Sequence, residues 1–243
     1  MSKIVERTLD FFELFASEKR PLSLTDLTRL LEIPTSSCHD VLRALEARGY
    51  LYETAPRAGY YPTRRLLDLA RTIAANDSVV ERARPLLEKT CDALGETVTL
   101  SKATGLRAIY LLVIEPADPV RYSVAAGTEV SSLHATSVGK ALLATLTPPA
   151  FDAALQGRKL ERFTPRTIVS RTKLAADVAM SRERGWFAND EESRAGVVTV
   201  SGLFAGGDAP HMFTVAGPAD RMHAKHRRTV DAVVAACRQL DVR

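Results

Sequence analysis

The chain has 243 residues and a formal charge of +4, from 33 Lys and Arg against 29 Asp and Glu. That length suits one large domain or two small ones, and 46% apolar with 26% charged residues is ordinary globular composition, which excludes wholesale disorder. No apolar run reaches the roughly 20 residues of a membrane span and the first residues lack a signal-peptide layout. Three scattered cysteines, Cys38, Cys91 and Cys237, supply neither a disulfide framework nor a zinc site, so a cytoplasmic protein without metal or cofactor is expected.

Where the charge sits matters more than its total. Residues 1–77 hold eleven basic and eleven acidic side chains, so the whole surplus lies in residues 78–243. Bulk charge gives the first third no claim on nucleic acid, but its pattern does. Val5, Leu9, Phe12 and Ala16 recur at the spacing of one helix face, and Lys19, Arg20 and Pro21 end that helix. Leu24, Leu27, Leu30 and Leu31 give a second, short helix, capped by Ser23 and stopped by Pro34. Thr35 or Ser36 caps a third, with Val41, Leu42 and Leu45 turned inward and Gly49 at its end. Two short helices behind a longer one make a helix-turn-helix. Residues 50–54 and 59–62 then read as strands joined by residues 55–58, the wing of a winged helix-turn-helix.

The third helix presents Ser36, His39, Asp40 and Arg43 outward, on turns that fit a major groove. Thr35, Ser36 and Ser37 offer hydroxyls and free backbone N–H groups to a phosphate. Arg57 at the wing tip, Tyr60 on the second wing strand, and Arg64 and Arg65 beyond it complete the candidate DNA contacts. Residues 33–65 hold five arginines against three acids, and a phosphate contact needs a local cation rather than a basic domain. Residues 64–73, apolar at Leu66, Leu69, Ala70 and Ile73, form a further helix before a break at residues 76–78. The expected layout is a winged helix-turn-helix over 1–63, a linker helix over 64–77 and a second domain over 78–243. An alternative is a protein- or small-molecule-binding module that has lost DNA binding, which the zero net charge and Asp40 favour.

In the second domain a helix over 79–94 ends at Gly95. It is followed by β-rich runs at 97–101, 108–114 and 121–125, helices at 137–146, 149–155 and 173–184, strands at 196–203 and 212–216, and a last helix over 218–240. Strands, helices and returning strands give an α+β domain with a mainly antiparallel sheet. Gly139-Lys140 invites comparison with a phosphate-cradling loop, but the upstream glycine of that motif is His134 here, and Ala141 follows the lysine. The segment 127–140 instead offers a hydroxyl-rich helix N-terminus suited to a small carboxylate, or simply an ordinary capped helix. Residues 185–192, GWFANDEE, read as a solvated turn with capping acids rather than a catalytic carboxylate pair. No His lies nearby and no GxSxG occurs, so no enzyme is expected.

The order of these elements and the run LHATSVGKALLA at 133–144 resemble the IclR family of bacterial transcriptional regulators. GETVTL at 95–100, Arg184-Gly185-Trp186 leading to Glu191-Glu192, Gly196-Val197 and Ala216-Gly217-Pro218 extend the resemblance over essentially the whole chain. It implies a C-terminal GAF-like domain, an antiparallel sheet flanked by helices, that binds small organic acids. It also implies a homodimer, or a tetramer of two dimers, on palindromic operator DNA. The matching pocket positions are Ser123, Ser131, Ser137, Val138, Asn189, Val197, Thr199 and Thr214. Asn189 stands where the family commonly has an acid, Thr199 where a Cys is frequent and Thr214 where a Ser is usual. Asn189 both donates and accepts, so it is expected to tolerate an acidic ligand. The recognition helix departs as well, with Thr35 and Asp40 at positions that are often basic, which implies an altered operator.

Overall fold

The structure, a computed structural model, describes residues 3–55, 58–207 and 209–241. The chain divides into two compact units, Met1–Asn76 and Asp77–Arg243.

The first unit comprises α1 (Lys3–Glu18), α2 (Leu24–Leu30), α3 (Thr35–Ala47), β1 (Leu51–Glu53), β2 (Tyr60–Pro62) and α4 (Arg65–Ala74). Its core joins Phe11 and Phe15 to Leu22, Leu27, Cys38, Val41, Leu42, Leu45 and Leu51. The buried face of α1 is therefore not the expected stripe. Val5 and Leu9 are 59% and 58% exposed and Phe12 is only partly buried. Rotating the helix to bury Phe11 and Phe15 removes more apolar surface from water than burying Val5 and Leu9 would.

Ser23 caps α2 as expected. Its Oγ accepts from the Asp26 N–H at 3.1 Å, while Asp26 Oδ2 accepts from the Ser23 N–H at 3.1 Å. The Ser23 hydroxyl, which also donates to Asp26 Oδ2 at 2.8 Å, and the Ser23 N–H hold the Asp26 carboxyl below its ordinary range. The cap of α3 differs from expectation. Pro34 occupies that position, fixed in an extended conformation that cannot continue the helix backwards, so Thr35 and Ser36 lie inside the first turn and no side chain caps the helix. β1 and β2 pair antiparallel with Tyr52 opposite Tyr61. Leu22 adds a bridge that the sequence did not suggest, exchanging backbone hydrogen bonds with Tyr60 at 3.1 and 2.9 Å. Gly59 makes this approach feasible, with φ at +111° and a position where a Cβ would lie 2.8 Å from the Leu22 carbonyl carbon. No residue of α4 is buried, and Leu67, Leu69 and Ile73 lie open on it.

The second unit runs α5 (Ser78–Leu94), β3 (Thr97–Thr104), β4 (Arg107–Ile114), α6 (Ser137–Ala144), α7 (Pro148–Leu155), α8 (Arg171–Arg184), β5 (Phe187–Asp190), β6 (Val197–Ala205), β7 (Pro210–Pro218), α9 (Ala219–Ala224) and α10 (His226–Leu240). The strands form one antiparallel sheet in the order β4-β3-β7-β6-β5. One face, with Val98, Leu100, Val198, Val200, Phe213 and Val215, packs on α5, α9 and α10. The other side carries the apolar cluster of α6, α7 and α8, built on Val138, Leu142, Leu155, Leu174 and Val178. Strand alternation leaves Thr99, Thr199, Ser201 and Thr214 on this second face, between the aliphatic residues of the first.

Three expectations need correction. Residues 121–125 are not a strand; they run alongside the sheet, where the Tyr122 carbonyl accepts from Thr97 Oγ1 at 2.5 Å. Residues 187–190, expected in a solvated turn, form the edge strand β5, with Phe187 and Asn189 buried. The last helix breaks at Lys225, whose Nζ donates to the Leu94 carbonyl and to Glu96 Oε1, both at short range. The break thus coincides with the residue that, together with Arg221, pairs the fully buried Glu96.

Gly59→Ala is expected to destabilise the first unit by about 1–3 kcal/mol, from positive-φ strain and displacement of the Leu22 bridge. Urea unfolding of the full chain measures this, and an unchanged midpoint would contradict the role given to Gly59.

Candidate functional site

Two surfaces carry the expected residues. On α3, Val41, Leu42 and Leu45 are buried as expected, which turns Ser36, His39, Asp40 and Arg43 to solvent. As in any helix, the N–H groups of Thr35, Ser36 and Ser37 at its start have no helical partner, and here no side chain caps them; the first helical bond runs from Cys38 N to the Pro34 carbonyl. Thr35 is exposed and Ser37 half-buried. Arg64 and Arg65 lie exposed beyond the wing, and the Arg65 guanidinium sits 5.4 Å from the centre of the Tyr50 ring. Tyr60 is half-buried against the core and bridged to Leu22, which leaves it less available than the arginines. Arg57 lies outside the described residues.

The second surface is a cavity of about 220 Å³ in the second unit. Ser123, Ser131, Ser137, Val138, Asn189, Val197, Thr199 and Thr214 all line it, so the fold brings these eight positions from five segments together. Its floor is a chain of hydroxyls. Ser137 Oγ, at the first residue of α6, shares hydrogen bonds with Thr199 Oγ1 at 2.6 Å and Ser201 Oγ at 2.7 Å. Ser201 Oγ in turn bonds to Thr214 Oγ1 at 2.7 Å. Beside them lies Thr99, fully buried, whose hydroxyl has no hydrogen-bond partner among the described residues.

Asn189 lines the cavity and also holds the turn that follows β5. Its Oδ1 accepts from the backbone N–H of Glu192 at 2.7 Å and of Ser193 at 3.2 Å, and Nδ2 donates to Ser193 Oγ at 3.0 Å. Its amide fixes the turn after β5 and retains one Nδ2 proton for anything in the cavity. Ser123 is likewise committed, donating to Glu115 Oε1 at 2.6 Å.

Thr99, Tyr110, Tyr122, Glu129 and Arg194 also line the cavity and are not among the eight expected positions. Burial pushes the Tyr110 phenol well above its ordinary pKa, with Tyr122 beside it. For Thr99 a signal existed. TVTLS at 97–101 and VVTVS at 197–201 alternate hydroxyl and aliphatic side chains in the same way, marking strands with one polar face. Arg194 had no such signal.

Comparison with known proteins settles the lineage. Residues 72–242 match the family model for the bacterial transcriptional regulator IclR C-terminal domain, and residues 4–55 match the IclR helix-turn-helix domain. The chain belongs to the IclR family. The HTH-type transcriptional regulator BhcR of Paracoccus denitrificans is 32% identical over 98% of this chain and 86% of its own length. The crystal structure of Thermotoga maritima IclR shares the fold, with a TM-score of 0.78 at 19% identity over 100% of both chains. An IclR homologue from Microbacterium hydrocarbonoxydans, complexed with 4-hydroxybenzoate, matches with a TM-score of 0.73 at 19% identity, over 98% of this chain and 99% of its own. The IclR assignment makes this a DNA-binding transcriptional regulator with a C-terminal effector-binding domain.

In this IclR chain the Gly139-Lys140 pair has a structural task. Lys140 is 1% exposed, and its Nζ meets Glu192 Oε1 at 2.5 Å, Asp177 Oδ2 at 2.9 Å and the Ala188 carbonyl at 3.1 Å. Burial raises the Glu192 pKa, opposed by Lys140. Glu192 is therefore not the solvated capping acid expected, since the lysine beside it makes burial tolerable. Gly139 has no room for a side chain, because the Ser132–Leu133 backbone crosses directly over it.

Lys140→Met is expected to cost about 3–5 kcal/mol, by leaving Glu192 and Asp177 near one another without their cation. Chemical denaturation reads this directly. Adding Glu192→Leu should recover part of the loss, and failure to do so would show that the helix suffers for another reason.

Proposed function

We propose that the chain is a cytoplasmic, ligand-responsive transcription factor that binds palindromic operator DNA as a homodimer or a dimer of dimers and senses a small organic acid. The convergence of the eight expected positions on one cavity at the start of α6 carries the effector part of this reading. The complex of its Microbacterium hydrocarbonoxydans relative with 4-hydroxybenzoate supports a carboxylate as the ligand class. For DNA, the support is an uncapped α3 with exposed Ser36, His39 and Arg43 beside Arg64 and Arg65. α4 connects the two functions, and an acid that binds one conformation better biases operator affinity through it.

Selection from random duplex DNA should enrich an inverted repeat. Arg43→Ala should then weaken binding to it by about 1–3 kcal/mol in gel shifts, and wild-type affinity should fall steeply with added salt. Exposed Asp40 on the recognition face supports the rival module without specific DNA binding, and weak, salt-insensitive binding with no enriched sequence would establish that rival.

In thermal-shift assays, carboxylates should raise the melting temperature of the wild type. Thr199→Val with Thr214→Val should abolish that rise while leaving operator binding intact. Undiminished stabilisation of the double variant would exclude this cavity as the effector site.

A further inference from the structure

The cavity floor is neutral, and a neutral floor does not by itself select acids from amides or alcohols. Two charged side chains line the cavity, Glu129 and Arg194. Glu129 is paired with Arg107 at 3.4 Å. Arg194 is exposed at the cavity edge, and its side chain makes no hydrogen bond or ion pair among the described residues.

The backbone that carries Arg194 is held on both sides. Asn189 Oδ1 binds the N–H groups of Glu192 and Ser193 before it. After it, Gly196 N donates to Glu191 Oε2 at 2.8 Å, Val197 N to the Arg194 carbonyl at 3.3 Å, and Glu191 N to the Val197 carbonyl at 3.0 Å. The turn that follows β5 is thus closed on itself, with an unpaired guanidinium at the open mouth of the cavity. A free cation positioned by a fixed turn is the arrangement that binds a carboxylate in a charge-assisted pair.

The floor adds a second point of recognition. Thr199, Ser137, Ser201 and Thr214 own four hydroxyl protons and share three hydrogen bonds, so one proton is spare, and it lies at an end of the chain when the three bonds run in one direction. Both ends, Thr199 and Thr214, line the cavity. An acceptor oxygen on the ligand that takes this proton at Thr199 would align the whole chain towards it.

We propose that Arg194 is the specificity-determining residue of the effector site, pairing with the carboxylate of the ligand at the mouth while an acceptor atom of the same ligand takes the spare hydroxyl proton at the floor. This rests on the acid-sensing reading above. Arg194 discriminates by charge; the hydroxyl floor recognises oxygen and not charge.

The test uses matched acid and amide probes on the full chain: 4-hydroxybenzoate with 4-hydroxybenzamide, benzoate with benzamide, and butyrate with butyramide. Titration calorimetry and thermal shift are run on the wild type, Arg194→Gln and Arg194→Lys. Wild type should prefer at least one acid over its amide by about tenfold or more, Arg194→Gln should lose that preference, and Arg194→Lys should keep part of it. Unliganded melting temperatures should agree among the three, since the Arg194 side chain supports nothing else. If wild type prefers acids and Arg194→Gln prefers them equally, the role of Arg194 is overturned and acid sensing stands. If wild type binds none of the acids, or binds acid and amide alike, the acid-sensing reading falls and the role of Arg194 falls with it.

Discussion

Burying Lys140 is the constraint on which the effector domain depends. An ammonium at 1% exposure is untenable without compensation, and every compensating group comes from a different piece of chain: Asp177 from α8, the Ala188 carbonyl from β5, and Glu192 from the turn after it. Meeting the charge therefore fixes α6 against α8 and against the sheet edge in one step. Ser137 lies three residues before Lys140, so the helix position set by the ion cluster also sets the hydroxyl that ties α6 to Thr199 and Ser201. The ion cluster therefore positions the helix start that lines the cavity.

A second buried charge does comparable work on the opposite side of the sheet. Glu96, fully buried, takes Arg221 in a two-point pair at 2.7 and 2.9 Å and Lys225 at 2.7 Å, and Gly217 lies so close that a side chain there would strike the carboxylate. Arg221 also reaches Asp118 and the Val120 carbonyl, which draws in the long segment after β4. That segment continues through Tyr122 and Ser123 to the cavity wall. The two ionic clusters hold the wall from one end and the roof helix from the other.

What could be read in the sequence follows the range over which each interaction acts. Local signals gave the helix order, the Ser23 cap, the Gly95 terminus and the wing, all decided within a few residues. Contacts across long separations failed. Nothing near residues 185–192 announces that Glu192 will meet Lys140 fifty-two positions away, so the stretch read as a solvated turn. The face of α1 was misjudged because both stripes fit a helix, and only the competing partners in the core choose between them. The eight cavity positions came from family resemblance rather than from spacing, and Arg194 escaped because no local motif marks it. It becomes visible only when the fold brings the turn after β5 to the cavity edge.

The overall charge of +4 shows the same limit from the other side. A net surplus says nothing about function when the cations that matter are few and placed individually. On the first unit, arginines at the recognition helix and beyond the wing stand on a segment that is neutral in sum. On the second, the surplus includes cations held within the fold, such as Lys140, Arg221 and Lys225, which are matched by acids and present little field to a partner. Arg194 is different because no acid holds it. A cation that the fold leaves unmatched at the edge of the cavity remains available to an incoming anion, its attraction attenuated by the surrounding water and salt, whereas a matched one is already engaged in the architecture.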